Sequence, residues 1–216
     1  MPRAKLPRKS TNIDMTAMCD VAFLLLSFFI LATKTKPPEV LAVEPPTSVS
    51  SKAAPENSIL ITMTRDSRVF LMLGEGVKKE EIIQKLNANR NLQFTPQEMA
   101  KMVKAEFYGL PLTKYKSYIS SGKEIPAAKM EGIPVMDSSN NELVHWVKAI
   151  SDAYAGTDQR KLQQMLLVKG DGAAFYPVFK NVKQAFKKNE LYKFRIVTSG
   201  EPVPAGSELF MSGKNS

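Results

Sequence analysis

Hydrophobic and polar positions alternate in three different ways along the 216 residues of this chain. From Met15 to Thr33 they barely alternate at all: the run is apolar, with Asp20 as its single charge. At about 1.5 Å per residue, a helix of that length covers most of a hydrocarbon core of about 30 Å. Further on, "SILITMT" (58–64) and "RVFLMLG" (68–74) are β-rich runs split by "RDS", which predicts a β-hairpin. "KKEEIIQKLNANR" then brings Ile82, Ile83 and Leu86 to one face and predicts a helix. Near the end, "QQMLLVKGD" predicts a strand closing on a Gly-Asp turn. "FYPVFKNVKQAFKKN" sets Phe175, Val178, Phe179, Val182 and Phe186 at helical spacing, with Lys180, Lys183 and Lys187 opposite, and "LYKFRIVTS" predicts a final strand. Strand, helix and strand at this spacing form a βαβ unit with parallel strands. The expected fold is α+β: one N-terminal transmembrane helix, then a small α/β sandwich with helices on one face of a sheet.

Between these patterns the chain changes character. Residues 34–57 hold Pro37, Pro38, Pro45, Pro46 and Pro55 and predict an extended linker. Within it, "EVLAVE" is apolar enough to pair as a strand. Val40, Leu41 and Val43 are candidates to add to a sheet edge in a partner. In the region at about 92–160, "TPQEMAKMVKAEFYG" predicts a helix with Thr95 as cap and Pro96 at its first position, and "NNELVHWVKAISDAYAG" predicts another, ended by Gly156. "LPLTKYKSYISSGKEIPAAKMEGIPVMDSS" reads as irregular and exposed. The domain map is a basic tail at 1–12, the spanning helix at 13–33, the linker at 34–57, a folded domain at 58–199 with an insertion at about 92–160, and a disordered tail at 200–216.

Composition adds a constraint on partners. Hydrophobic residues make up 44% of the chain and charged residues 24%, so a packed core is expected. The net charge is +9, and Arg3, Lys5, Arg8 and Lys9 precede the apolar run without an acid among them. The other lysines are scattered along helical faces and not interleaved with aromatics, which argues against nucleic acid. Cys19 is the one cysteine, so no disulfide forms within the chain. Met18 precedes it and the apolar stretch follows it, the wrong order for a lipidated cysteine. His145 has no second histidine or nearby cysteine, so neither a metal nor another cofactor is expected. Glu80, Glu81 and Asp137 read as solvated charges, and Gly170-Asp171-Gly172 as a turn rather than a phosphate loop. No nucleophile elbow or P-loop is present, and an enzyme is not expected.

The apolar run has three readings: a retained transmembrane helix, a cleaved signal peptide, or a soluble core helix. Its apolar block from Val21 to Ala32 begins well after the basic cluster, "ILATKTK" is a poor cleavage site, and Asp20 has no purpose in a segment that is removed. The retained helix fits best. Four basic residues before it and two after it put the N-terminus in the cytoplasm and the domain in the periplasm.

Asp20 is the anomaly that points to function. A charge at the centre of a membrane helix costs roughly 2.5–3.5 kcal/mol on insertion scales. Its helical neighbours are Thr16, Ala17, Phe23, Leu24 and Ser27. Thr16, Asp20 and Ser27 thus form a polar stripe, with Val21, Leu25, Phe28 and Phe29 opposite. One reading is a hydrated carboxylate near the cytoplasmic end, without function. The other is a carboxylate that alternately holds and releases a proton, with Thr16 and Ser27 lining the route and partner helices around it.

"STNIDMTAMCDVAFLLLSFFILAT" resembles the membrane helix of the ExbD/TolR family of biopolymer transport proteins, whose helix begins with a pattern like I-x-x-T-P-x-x-D-V. Ile13, Thr16, Asp20 and Val21 stand in that frame, with Ala17 in place of the family's proline. The resemblance continues through "SILITMTRDSRVFLMLG" and "LLVKGDGAAFYPVFKNVKQAFKKNELYKFRIVT", so it covers roughly 10–90 and 163–199. It implies a single-pass protein of the bacterial inner membrane, acting as a homodimer within an ExbB-like polytopic ring. There, proton movement at Asp20 would energise a TonB-like protein and thereby transport across the outer membrane. A TolR-like subunit of the Tol–Pal envelope system and a gliding-type motor are the nearest alternatives. A membrane-anchored binding module without motor function and a secreted protein lie further off.

Overall fold

The computed structural model describes residues 15–32, 41–48, 55, 57–122, 125–137, 140–156 and 159–201. They belong to two units, Met1–Glu39 and Val40–Ser216. The first unit contributes one described element, helix α1 (Met15–Ala32), with no buried residue. Its length and composition suit a membrane span. Residues 1–14 and 33–40, most of 49–56, and 202–216 lie outside the described residues. The basic tail, residues 202–216 of the tail expected to be disordered and most of the Pro-rich linker therefore fall there, whereas Gly200, expected to open that tail, lies in a strand.

The second unit is built around a five-stranded sheet. Its strands are β2 (Ile59–Met63), β3 (Val69–Leu73), β4 (Phe107–Tyr108), β5 (Leu166–Gly170) and β6 (Arg195–Val197), in the order β4-β3-β2-β5-β6. The hairpin is as expected: β2 and β3 are antiparallel, with Ile61 opposite Leu71. At its turn, Ser67 N–H donates to Thr64 O, and Ser67 adopts a left-handed φ of 64°. The βαβ unit is also present. β5 and β6 are parallel, and β5 also pairs in parallel with β2, so the hairpin and the βαβ unit share one sheet. Ile59, Ile61, Val69, Leu71, Leu73, Leu166 and Val168 are almost wholly buried.

Helix α2 (Lys79–Arg90) buries Ile82, Ile83 and Leu86 and stops at Asn91 in the left-handed conformation. Helix α3 (Pro96–Lys104) begins at Thr95 with a capping box: the Thr95 side chain accepts from Glu98 N–H, and Glu98 Oε2 accepts from Thr95 N–H at 2.8 Å. Helix α5 (Leu143–Ala153) packs against both α2 and α7 (Tyr176–Lys188). α7 turns Val178, Val182, Ala185 and Phe186 inward. The architecture is α+β: one N-terminal apolar helix and, later in the chain, a sheet packed with helices.

The stretch expected to be irregular and exposed is so only in part: among its described residues, one half is helical and several side chains are buried. Residues Leu112–Ser121 form helix α4, in which Leu112, Tyr115 and Ile119 are buried. A 3-10 turn follows at Ala127–Lys129, and Met130, Ile133 and Val135 join the core. Apolar burial outweighs the poor helix start at Pro111, and a buried carboxylate replaces a cap: Leu112 N–H donates to Glu142 Oε2 at 2.7 Å. β4 adds to the edge of the sheet, and Trp146 lies fully buried against Tyr108, ring centroids 4.9 Å apart. A second correction is small. Helix α6 (Gln159–Met165) takes Gln163–Met165, which were expected to open strand β5.

The described end of the linker is docked on its own domain. Strand β1 (Thr47–Ser48) pairs in parallel with β7 (Ser199–Gly200), forming a separate two-stranded ladder. The strand expected within "EVLAVE" is therefore shifted: residues 41–46 are not strand, and pairing starts at Thr47.

Candidate functional site

Asp20 is the sixth residue of α1. At about 1.5 Å per residue it lies about 7.5 Å along the axis from Met15 and about 18 Å from Ala32. That places it in the first third of the apolar helix rather than at its centre, where a charge is most costly. Thr16 and Ser27, at i−4 and i+7, share its face. The Ser27 hydroxyl is satisfied within the helix, donating to Phe23 O at 2.5 Å and to Leu24 O at 3.2 Å. It therefore presents an oxygen with free acceptor capacity to the stripe. Among the described residues, no hydrogen-bond or ion-pair partner meets the Asp20 carboxylate. The rest of the helix is exposed too: Val21, Leu25, Phe28 and Phe29 are all more than half exposed. An apolar helix with one carboxylate and no buried residue suits lipid on its greasy side and protein or water on the other.

The proposed partner-binding residues fare differently. Val40 lies outside the described residues. Leu41 is partly buried and packs on the core, and Val43 is 5% exposed. The following residues are tied down by hydrogen bonds. Gly172 N–H donates to Glu44 O at 2.9 Å, Ser199 N–H to Pro46 O at 3.1 Å, and Glu201 N–H to Ser48 O at 3.1 Å. Thr47 Oγ1 adds a bond to Glu201 Oε1 at 3.1 Å. Asp171 belongs to this arrangement. Its Oδ1 accepts from Ala173 N–H at 2.8 Å, which makes Gly170-Asp171-Gly172 the expected turn, while Oδ2 faces Glu44 N–H at 3.4 Å. Sequence reasoning missed this strap, because two-residue strands 152 positions apart have no periodic signature.

Two buried tyrosines of the domain serve the fold. Burial pushes the Tyr108 and Tyr115 hydroxyls far above their usual range, so both stay neutral. Tyr108 donates to Met102 O at 2.7 Å, and Tyr115 Oη accepts from Leu110 N–H. His145 is held below its usual value first by partial burial, then by the charges of Arg90, Lys148 and Lys188. Among the described residues no cluster of three or more His, Cys, Asp or Glu side chains is disposed to hold a metal ion.

The sequence model of one protein family, described as "Biopolymer transport protein ExbD/TolR", matches residues 7–201. The match takes in α1 with Asp20, the sheet, and also the region 92–160. No curated protein and no solved structure matches the chain. An apolar helix carrying one carboxylate, followed by an α+β domain, is in keeping with that match, and the chain belongs to the ExbD/TolR family of biopolymer transport proteins.

Proposed function

We propose that this chain is the carboxylate-bearing subunit of a proton-motive-force-driven complex in a bacterial inner membrane, and that Asp20 carries the proton. Family membership makes it an energy-transduction subunit for biopolymer transport. The observation that carries the finer reading is the single carboxylate on an apolar helix with no buried residue. Such a helix cannot enclose its own proton route, so partner helices complete it: a second copy of the chain and an ExbB-like polytopic ring. The N-terminus is cytoplasmic and the folded domain periplasmic, in line with the basic residues before α1. Asp20 takes up a proton from one side and gives it up to the other, while Thr16 and Ser27 offer oxygens along the same face without titrating. One charge crossing about 100 mV releases about 2.3 kcal/mol, so a few protons suffice for a conformational cycle. The domain passes that movement to a TonB-like protein, which energises transport across the outer membrane. The role is not enzymatic.

The test is Asp20→Asn, which keeps size and hydrogen bonding but cannot exchange a proton. The variant inserts and assembles at normal levels, and energy-dependent uptake is lost. Asp20→Glu retains part of it, because the carboxyl survives with a shift of one methylene. Normal uptake by a membrane-inserted Asn variant refutes the proton role.

A further inference from the structure

Helix α7 has four lysines and no acid, and here the lysines are not scattered apart from aromatics as expected from the sequence. Tyr176, Lys180, Lys183 and Lys187 follow one another at spacings of four, three and four, so they line a single stripe. All four are exposed, on the side away from the buried Val178, Val182, Ala185 and Phe186. Among the described residues no salt bridge engages these lysines. Helices α2 and α3, by contrast, mix signs: Lys78 pairs with Glu81 at 3.1 Å beside α2, and α3 sets Glu98 against Lys101 and Lys104. Further cations stand on neighbouring elements, although exposed Glu190 follows α7. Exposed Lys148 on α5 and Arg90 at the end of α2 lie near enough to His145, together with Lys188, to bear on its charge. At the start of α7 two aromatics are turned outward, Phe175 at 56% and Tyr176 at 69% exposure.

We propose that the Tyr176–Lys180–Lys183–Lys187 stripe docks on the anionic lipid headgroups of the membrane to which α1 fits this chain. Three features choose that partner over a shaped anionic ligand. The cations are lysines, flexible point charges suited to a diffuse polyanion, and not the guanidinium forks that read a defined phosphate or carboxylate. Aromatic side chains beside lysines on one helix suit the level of the headgroups, where the ring is half wet and the ammonium stays in water. Finally, a spanning helix on the same chain holds a bilayer surface at high effective concentration, so weak charge attraction is enough. Each lysine near such a surface strengthens binding about fivefold, and three of them about a hundredfold, screened within a Debye length of about 10 Å or less. The inference depends on α1 spanning a membrane and not on proton transfer at Asp20.

The experiment uses the full chain in vesicles of phosphatidylcholine, with or without phosphatidylglycerol. Lysine acetylation is followed by mass spectrometry, with Lys101 and Lys104 on α3 as the internal reference. With phosphatidylglycerol present, Lys180, Lys183 and Lys187 react several-fold more slowly relative to the reference, and high salt abolishes the difference. In the K180Q/K183Q/K187Q variant, Lys148 and Lys188 react at the rate seen in neutral vesicles. Equal relative rates in both lipids overturn the proposal, as does protection of Lys148 and Lys188 that survives the triple substitution. Protection in neutral vesicles on adding soluble peptidoglycan fragments assigns the stripe to an acidic glycan instead and also overturns it.

Discussion

Replacing Val43 with Asp should open the strap while leaving the domain folded. Val43 is 5% exposed, and burying a valine side chain contributes about 1.5–3 kcal/mol. A carboxylate in its place forfeits that and drives residue 43 toward water. Three amides far away in sequence report on the loss, because each donates to the strap: Gly172 to Glu44 O, Ser199 to Pro46 O and Glu201 to Ser48 O. At about 1.4 kcal/mol per tenfold, their hydrogen exchange should accelerate about tenfold to hundredfold. Amides in the β2–β3 hairpin, such as that of Ile61, exchange through opening of the central sheet and should keep their wild-type rates. Exchange read by NMR or by mass spectrometry on short fragments distinguishes the two sets. Unchanged rates at all three amides refute the argument that Val43 holds the strap. Equal acceleration in the hairpin refutes it differently, by making Val43 part of the global core.

Two further substitutions test the domain. A Cβ at Gly109 would overlap the ring of Phe70, itself fully buried and stacked on Phe107 at 5.0 Å, so Gly109→Ala should cost about 1–3 kcal/mol and lower the melting temperature by about 2–12 °C; an unchanged Tm refutes the close approach. His145 binds its proton less readily when folded than when unfolded, so stability is unaffected above the ordinary histidine value of about 6.5 and falls as pH drops below it; His145→Gln should reduce that acid sensitivity in denaturant titrations, and an identical pH profile in the variant refutes it.

How much of this was legible depended on whether the signal was local. The hairpin was readable because Ile59–Met63 and Val69–Leu73 are β-rich and nearly adjacent, and α7 because its inward residues recur at helical spacing. Asp20 stood out since a lone charge in an apolar run has few explanations. Helix α4 was hidden. Leu112, Tyr115 and Ile119 are spaced for a helix, but lysines, serines and threonine surround them, and its first N–H is satisfied by Glu142, thirty residues away. Met130, Ile133 and Val135 enter the core without periodicity because neighbouring elements, not their own segment, decide their burial. The alignment of Tyr176 with the α7 lysines was within reach of the same helical spacing. Its exposure was not, because an aromatic at a helix start is as easily turned inward.

The strap also determines how the domain meets tension. A pull arriving from the N-terminal side at residue 41 first tests the contacts of Leu41 and the seat of Val43, then the bonds of Glu44 to the Asp171 turn, and only afterwards the Thr47–Ser199 ladder. These holds lie in series along the chain, so they fail one at a time and not together. Each failure lets out a few residues of extended chain, at up to about 3.5 Å apiece, before any load falls on the central sheet. β2 follows eleven residues after Ser48 and is flanked by β3 and β5 over its full length, so all five of its residues share what remains. Under such a pull the strap at 41–48 would yield ahead of the central sheet, taking up small pulls as slack and passing on only larger ones.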